Sequence, residues 1–376
     1  MQKQPSLHTS ILKTARSGRE TAEHAGEPSY GPLTADELQL AARNHSLPLE
    51  ALREDLTPPG LHYSLNHFDI PFLEAERWHL QISGAVQRSL ELNLKALRRA
   101  PRISIPVTLE CAGNGRSLLR PRPLSQPWLL EAVGTAVWTG VPLAYLLTQA
   151  GVQDGAVEVL FTGADTGFQG GVRQQFARSL PIAEALRPDI VLAYRMNGTD
   201  LSPQHGYPVR LVVPGWYGMA SVKWLSTIKV LTEPFEGFQQ AVAYRYQQNA
   251  DDAGVPVTWM KVRSLMIPPG IPDFFTRHRV LPPGPVMLAG RAWSGGGAVQ
   301  RVEVGIDGTW TPAQLERPAA AFAWCAWSLP WIADPGEHEL ACRATDASGA
   351  TQPLEQVWNY QGMGNNAVQR IKVTVQ

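Results

Sequence analysis

Apolar and polar residues alternate along short stretches of the chain, and these stretches predict β-strands. Between residues 103 and 109 every second side chain is apolar, which predicts a strand that ends just before Cys111. Other apolar stretches predict strands at 78–82, 157–161, 190–194 and 211–213. Thr34 and Glu37 form a capping box, which predicts a short helix directly after it. The first two thirds of the chain are therefore expected to be mixed α/β.

The last third of the chain has a different pattern, with short strands separated by Gly, Asp and Pro turns. The predicted strands are 286–293, 299–306, 321–328, 338–345 and 368–375. This spacing is typical of an antiparallel β-sandwich of immunoglobulin-like size. Cys325 and Cys342 lie on these strands, where a disulfide is possible but reduced, buried thiols are the favoured interpretation. The proline-rich span 256–285 is predicted to be a linker.

Length and pattern together predict two domains and an N-terminal arm. A chain of 376 residues is too long for one hydrophobic core. The predicted fold class is an α/β domain followed by an all-β, immunoglobulin-like sandwich. The predicted divisions are 1–60 (arm and short helices), 61–255 (α/β domain), 256–285 (linker) and 286–376 (sandwich).

Charge and composition exclude several classes of partner. Basic and acidic residues balance at 33 each, so neither nucleic acid nor an anionic membrane surface is an expected partner. No apolar run reaches membrane-spanning length. The chain has 3 cysteines, an odd number that favours reduced thiols. The segment 1–27 lacks an apolar core followed by a cleavage site, so no secretory signal is predicted and the compartment, cytoplasm or periplasm, stays open.

Cys111 is the first candidate for chemistry. It follows the strand at 103–109 and is itself followed by Gly113, Asn114 and Gly115, residues that tolerate a tight loop. Arg116 adds a positive charge, which favours the thiolate form. A thiolate is a nucleophile or a soft metal ligand. The alternative is that Cys111 is a small buried hydrophobic residue, as most free cysteines are.

A second candidate region combines basic residues near strand ends. His205, Arg210 and Lys223 surround two predicted strands and a glycine-rich turn, a set that suits a phosphate or another anion. The alternative is that they are scattered surface charges. His67 lies in a proline-bounded loop, and Asp165 lies in a Gly-containing loop predicted to follow the strand at 157–161. Either loop could bind a ligand or be an ordinary turn.

Several of these motifs together resemble the sulfite oxidase family of molybdenum enzymes. The resemblance runs from about residue 63 to 376 and rests on Cys111-Ala112-Gly113-Asn114, Asn66-His67, His205 to Arg210, Ser221 to Trp224 and Ala292 to Gly297. It implies a molybdopterin-binding catalytic domain of mixed α and β structure at 61–255 and an immunoglobulin-like domain that forms a homodimer. It also implies one molybdenum–molybdopterin cofactor per chain and no haem, so electrons would leave to an external acceptor such as a cytochrome.

The resemblance implies a role for individual residues at this site. Cys111 would be the metal ligand. Tyr244, or Tyr246 as its rival, would place a hydroxyl near the metal. Arg116 would be one of the arginines around the substrate, and Trp128 would form a wall of the substrate pocket. The expected contacts to the pterin and its phosphate are Asn66, His67, Asp165, His205, Arg210, Ser221 and Lys223.

Three positions depart from the family pattern. Leu65 and Gln361 stand where arginine is usual, and Ala243 stands where the family has an acidic residue. Fewer guanidinium groups should weaken the binding of a doubly charged anion. The expected activity is two-electron oxygen-atom transfer that oxidises sulfite or a related sulfur compound. The alternatives are reduction of an S- or N-oxide with the same cofactor, and a non-catalytic interaction protein.

Overall fold

The computed structural model describes residues 32–376, so most of the predicted N-terminal arm lies outside the described residues. The capping box is confirmed: the main-chain N of Glu37 donates to Thr34 Oγ1 at 3.2 Å and helix α1 follows. The α-helices are α1 (Ala35–Arg43), α2 (Leu94–Arg99), α3 (Leu143–Ala150), α4 (Ile182–Ala185) and α5 (Phe238–Ala241). Short 3₁₀ turns lie at Leu49–Arg53, Arg116–Leu118, Pro203–His205 and Gly218–Ala220. Within residues 32–376 no helix has the length and apolar character to cross a bilayer.

The first part of the chain is built mainly from short strands. These are β1 (His79–Gly84), β2 (Leu90–Asn93), β3 (Ile103–Glu110), β4 (Val133–Pro142), β5 (Glu158–Gln169), β6 (Val172–Pro181), β7 (Val191–Met196), β8 (Thr199–Asp200), β9 (Arg210–Val212), β10 (Leu225–Leu231), β11 (Arg245–Tyr246) and β12 (Val255–Pro256). One sheet has the order β2-β1-β10-β5-β6, and another has β3-β4-β7-β8 with β9 paired to β7. Strands β1 and β10 run parallel, whereas the other pairs in these sheets are antiparallel.

These two sheets confirm a mixed α/β unit that is mostly sheet. The predicted strand at 103–109 is observed as β3, with the inner positions of its second half fully buried. The strand predicted at 157–161 is longer than expected, because β5 continues to Gln169 with an irregular break in its pairing to β6 between Thr162 and Thr166. Asp165 therefore lies at an irregular point inside a strand rather than in a loop after it.

The C-terminal part consists of two sheets. Its strands are β13 (Arg263–Met266), β14 (Ile271–Pro272), β15 (Arg279–Leu281), β16 (Gly284–Trp293), β17 (Val299–Ile306), β18 (Thr309–Pro312), β19 (Gln314–Leu315), β20 (Cys325–Ala333), β21 (Gly336–Asp346) and β22 (Gln369–Val375). The sheet orders are β13-β16-β20-β19 and β14-β15-β22-β21-β17-β18. Buried side chains from both sheets, among them Trp327, Val304 and Val373, form one hydrophobic core. Cys325 and Cys342 are buried, free thiols.

Two sequence predictions for this part were wrong in detail. The predicted linker 256–285 contains β13, β14 and β15, and these strands pair with β16 and β22 of the sandwich. Strands of two to four residues in a proline-rich span have little local pattern, because their pairing partners are distant in sequence. The strand expected at 321–328 is observed at Cys325–Ala333, since residues 321–324 form a turn before it.

Candidate active site

The loop that carries Cys111 is fixed by hydrogen bonds on both sides. The main-chain N of Cys111 donates to Ala132 O at 2.9 Å, next to the start of β4. Asn114 braces the loop, because its Nδ2 donates to Leu130 O at 2.9 Å and its Oδ1 accepts from the N of Ala132 at 3.0 Å. Gly115 has a φ of +82°, a left-handed conformation that a side chain would strain, and its carbonyl accepts from Asn365 Nδ2. The sulfur is thus presented on a rigid loop.

The C-terminal segment at 361–365 forms the outer support of this loop. The main-chain N of Gly364 donates to Ala112 O at 2.6 Å. Arg116 Nε donates to Gln361 O at 3.0 Å, and its terminal nitrogens reach Gln126 O and the sulfur of Met363. The Cys111 loop is therefore held between the α/β unit and the C-terminal unit.

In the protein alone, burial opposes the thiolate form of Cys111 that the sequence suggested Arg116 would favour. Burial raises the pKa of the Cys111 thiol, and this effect outweighs the charge of Arg116, which lowers it. The main-chain N–H of Gly113 and the indole of Trp128 lower the pKa further, but by less. The loop provides a soft sulfur donor that a bound metal cation would have to deprotonate.

Cys111 lies on the wall of a cleft with about 680 Å³ of empty volume, part of it open to solvent. Eight of the predicted site residues line this cleft together: His67, Cys111, Asp165, His205, Arg210, Ser221, Lys223 and Tyr244. They come from the two sheets and from the loops between them, so the fold brings distant motifs to one place. Three others are near but do not line it, namely Asn66, Arg116 and Trp128.

Lys223 is held by three oxygen atoms at one end of the cleft. Its Nζ donates to Leu65 O at 2.8 Å, Asn66 Oδ1 at 2.6 Å and Gln204 O at 2.9 Å. Burial, followed by the neighbouring Arg210, holds the pKa of Lys223 well below its usual value. The cation is therefore in a place where an anion would stabilise it.

Arg210 and His205 lie beside Lys223. Two terminal nitrogens of Arg210 donate to His205 O at 3.2 Å and to Ser221 O at 3.0 Å, and its guanidinium carbon lies 4.9 Å from the centre of a Trp138 ring. Burial lowers the pKa of Arg210 to about 10 and that of His205 to about 2. His205 is thus a neutral ring at physiological pH. Ser221 supports the neighbouring loop, because its Oγ accepts a hydrogen bond from the main-chain N of Val213 at 3.0 Å.

Two more residues complete the polar side of the cleft. Burial raises the pKa of Asp165 to about 7, although the positive charge of Lys223 opposes the shift, and Asp165 Oδ1 has no hydrogen-bond partner. His67 Nε2 contacts Gln169 Oε1 and lies 3.3 Å from Gln239 Nε2. Burial also lowers the pKa of His67. His67 is held by these glutamine contacts, and Asp165 leaves a polar atom for a ligand.

Of Tyr244 and Tyr246, only Tyr244 lines the cleft within the described residues. Tyr244 lines the cleft, whereas Tyr246 packs beneath Lys261, whose Nζ lies 4.9 Å from the ring centre. Burial is the largest cause that raises the pKa of the Tyr244 hydroxyl, and the nearby Cys111 raises it further. The hydroxyl is therefore protonated at neutral pH. Tyr244 is therefore a neutral hydrogen-bond donor near the sulfur.

The residues present fit an anionic cofactor with a soft metal. The cleft is lined by one thiol and by two basic side chains, the buried Arg210 and the half-buried Lys223, and withdrawing such charges from water without an anion is costly. The orphaned Asp165 Oδ1 provides an acceptor for a donor group such as a pterin N–H. A thiol favours soft transition metals, and paired cationic donors favour phosphate.

Sequence reasoning missed three residues at this site. His62 is fully buried, lines the cleft and packs 5.4 Å from the ring of His205. Arg178 is buried against the ring of Tyr244. Glu110 accepts a hydrogen bond from the distant Arg263 at 2.7 Å. Adjacency to Cys111 could have drawn attention to Glu110, but the sequence had no motif that marks the other two.

The fold and the site together define a molybdopterin-binding oxidoreductase, and comparison with known families agrees. Residues 67–239 match the oxidoreductase molybdopterin binding domain, and residues 256–376 match the Mo-co oxidoreductase dimerisation domain. The chain belongs to this family, and the predicted resemblance to sulfite oxidases is confirmed.

Individual proteins that resemble this chain include sulfite oxidases, nitrate reductases and a sulfane dehydrogenase. Sulfite oxidase of Gallus gallus is 37% identical over 355 residues, which are 87% of this chain and 75% of that protein. The NADH nitrate reductase of Solanum lycopersicum is 36% identical, but this chain spans only 38% of its length. The solved structure of the sulfane dehydrogenase SoxCD from Paracoccus pantotrophus aligns over 100% of this chain and 100% of its own chain, with a TM-score of 0.77 and 26% identity.

Proposed function

We propose that this protein is a molybdenum oxidoreductase of sulfite oxidase type that oxidises sulfite or a related sulfur compound. The observation that carries the proposal is the Cys111 thiol on the wall of a cleft that also contains the buried Arg210 and the half-buried Lys223. With sulfite, one oxygen atom from water is added to sulfur, and two electrons and two protons are released. When bound, one molybdopterin per chain supplies the metal that accepts these two electrons.

Within this proposal, the polar side of the cleft binds the cofactor. Arg210 and Lys223 pair with phosphate oxygens, since both are cations whose charged form is disfavoured until an anion arrives. Asp165 offers its free Oδ1 to a pterin donor. The remaining contacts come from Asn66, His67, His205 and Ser221. Cys111 provides the protein's sulfur ligand to the metal.

The substrate is proposed to enter on the side of Tyr244. Its hydroxyl donates a hydrogen bond to an oxygen atom of the substrate and can release or accept a proton there. Arg116 supplies positive charge from behind the Cys111 loop, although its Nε is already bonded to Gln361 O. Trp128 is 4% exposed and packs in one cluster with Cys111, so it excludes water from that side.

Partners follow from the same proposal. The electrons pass to an external acceptor such as a cytochrome, without a haem in this chain. The C-terminal sandwich is proposed to be immunoglobulin-like and to join two copies into a homodimer, which the match to the dimerisation domain supports. The catalytic domain is proposed to span residues 61–255.

A second candidate function is reduction of an S- or N-oxide with the same cofactor. The observation that favours it is Leu65, an apolar side chain on the cleft wall, together with Gln361, whose Nε2 donates to Val242 O at 3.0 Å. A pocket with fewer charges suits a neutral oxide better than a doubly charged anion.

The experiment compares Cys111→Ser with Cys342→Ser, a matched change at a buried, free thiol in the sandwich core. Both proteins and the parent are expressed with cofactor supply, and molybdenum content and turnover are measured with sulfite and with S- and N-oxides. We expect about one molybdenum per parent chain, sulfite oxidation that Cys342→Ser retains, and no turnover per molybdenum in Cys111→Ser. Full activity of a molybdenum-loaded Cys111→Ser protein would refute the ligand assignment, and oxide reduction alone would establish the second candidate.

A further inference from the structure

Arg178 is a buried cation that none of the roles above uses. It lies on β6 two residues after Phe176, so both side chains leave the strand on the same face. Phe176 lines the cleft, which places Arg178 behind the cleft wall. Only 2% of Arg178 is exposed, and the Phe161 that pairs with it on β5 belongs to the main hydrophobic core. A charge in such surroundings is costly unless it has a function or a partner.

The guanidinium of Arg178 is only partly satisfied. One terminal nitrogen donates to Gln239 O, while Nε has no hydrogen-bond partner. None of the ion pairs within residues 32–376 includes it. It packs on the ring of Tyr244, whose centre lies 5.6 Å from the guanidinium carbon, and Glu158 and Arg245 act on its charge from further away. Burial lowers the pKa of Arg178 to about 10, so the group stays charged at neutral pH.

Tyr244 itself is held in an unusual conformation. Its φ of +55° is in the left-handed region, which a bulky side chain rarely adopts. The carbonyl of Tyr244 accepts from the main-chain N of Val257 at 2.9 Å, which fixes the backbone. Strain of this kind persists only where the surroundings over-determine the conformation, and such positions cluster at functional sites. Arg178 packs on the ring, and Cys111 and Arg116 are the other titratable or charged groups that act on the hydroxyl.

We propose that Arg178 is a positioning residue for the reaction: it holds the Tyr244 ring at the cleft wall and makes its hydroxyl a stronger hydrogen-bond donor toward an oxyanion substrate. A cation over the ring is attracted to its π electrons and favours the more negative form of the phenol. The part concerning the substrate rests on the proposed function, whereas the contact between the two side chains does not.

The first test uses cofactor-free protein with an acidic, fluorinated tyrosine placed at position 244. The ¹⁹F resonance is followed against pH in the parent, Arg178→Met, Arg178→Gln and Arg178→Lys. Loss of the cation should raise the phenol's titration midpoint by about one pH unit in the Met and Gln variants, and Lys should restore at least half of the difference. Arg343→Met is the control, because Arg343 also packs on a ring, that of Trp310 at 4.5 Å, but in the sandwich; its midpoint should equal the parent's.

The second test measures kcat/KM for sulfite at equal molybdenum content. Arg178→Met should lower kcat/KM about tenfold, and the same change should have little effect in a Tyr244→Phe background, because the hydroxyl through which it acts is gone.

The outcomes separate the two proposals. An unchanged midpoint in both neutral variants, or an equal loss of kcat/KM with and without the Tyr244 hydroxyl, overturns the role of Arg178. Since Gln and Lys are milder changes than Met, misfolding of Arg178→Met still leaves the titration decisive. A parent protein that does not oxidise sulfite refutes the proposed function, while the titration continues to decide whether Arg178 acts on Tyr244.

Discussion

The buried pair of Glu110 and Arg263 should be the main electrostatic link between the two units of the chain. Glu110 is the residue directly before Cys111, and Arg263 begins the first strand of the sandwich. Their side chains are 2% and 1% exposed, and Arg263 donates to Glu110 Oε1 at 2.7 Å. Asn114 Nδ2 donates to the same oxygen at 3.0 Å, and Trp293 Nε1 donates to Oε2 at 2.9 Å. The carboxylate therefore has three donors, one from its own loop and two from the sandwich.

The size of the effect follows from this geometry. Two unit charges about 4 Å apart attract by about 4 kcal/mol at an effective dielectric constant of about 20, and a buried carboxylate that loses its partner cannot regain water. We therefore expect Arg263→Met to lower the free energy of unfolding by about 3–5 kcal/mol. Glu110→Gln should cost a similar amount, because it leaves Arg263 charged and underpaired. The double variant has no buried charge left and should be less destabilised than the sum of the single changes by at least about 1 kcal/mol.

The assay is urea unfolding of the cofactor-free parent, both single variants and the double variant, followed by tryptophan fluorescence and by far-UV circular dichroism. The control is Arg343→Met, which breaks the more exposed pair of Arg343 with Glu303 at 3.0 Å and should cost only about 0.2–1 kcal/mol. The reasoning is refuted if Arg263→Met costs no more than the control, or if the two single effects simply add. Separate transitions for the two units in Arg263→Met would support the idea that this pair links them.

Two further predictions concern the cleft. Arg210→Ala and Lys223→Ala should lower molybdenum content more than the rate per molybdenum, because each removes a cation that is proposed to pair with the cofactor's phosphate. Metal analysis beside turnover measures both. Asp165 has a folded-state pKa of about 7, raised from 3.8. Its contribution to the free energy of unfolding is therefore fully present below about pH 4 and is lost as the pH rises through 7. Asp165→Asn should therefore stabilise cofactor-free protein more at pH 8 than at pH 5, as measured by chemical unfolding.

Each of these predictions has a result that contradicts it. If Arg210→Ala retains the parent's molybdenum content but turns over more slowly, the residue faces the substrate rather than the cofactor. If Asp165→Asn changes the free energy of unfolding equally at both pH values, the carboxyl is not protonated in the folded protein. Ser226→Ala, at a half-buried hydroxyl on β10 outside the cleft, is the matched control for both measurements.

Local patterns predicted the parts of this fold whose causes are local. The alternation at 103–109 predicted β3 correctly, although both faces of that strand are buried along its second half. The capping box gave α1 because its two reciprocal hydrogen bonds involve residues only three positions apart. The same approach failed at 256–285, where β13 and β15 exist only because β16 and β22 lie beside them. Pairing across the chain has no local signature.

The candidate site divides in the same way. Residues that resemble family motifs, such as Arg210 and Lys223, were expected together and do line one cleft. The sequence did not predict a place for Arg178 at the site, since a single arginine on a strand has the pattern of an exposed side chain. The structure shows instead that it is buried against the ring of Tyr244. Glu110 and Arg263 are 153 positions apart, a separation at which sequence spacing carries no information about contact.

The protonation of Cys111 shows why residue type alone was insufficient. The sequence showed that Arg116 is near and would favour the thiolate, but it did not show that burial has a larger effect on the thiol than Arg116 does. The same burial that raises the pKa of Cys111 lowers those of Arg210 and Lys223. Each of these three groups is therefore strained in its charged form while the cleft contains no charged ligand. If the proposed anionic cofactor binds here with its metal cation, it would stabilise all three charged forms together, and binding would then be coupled to ionisation at this site.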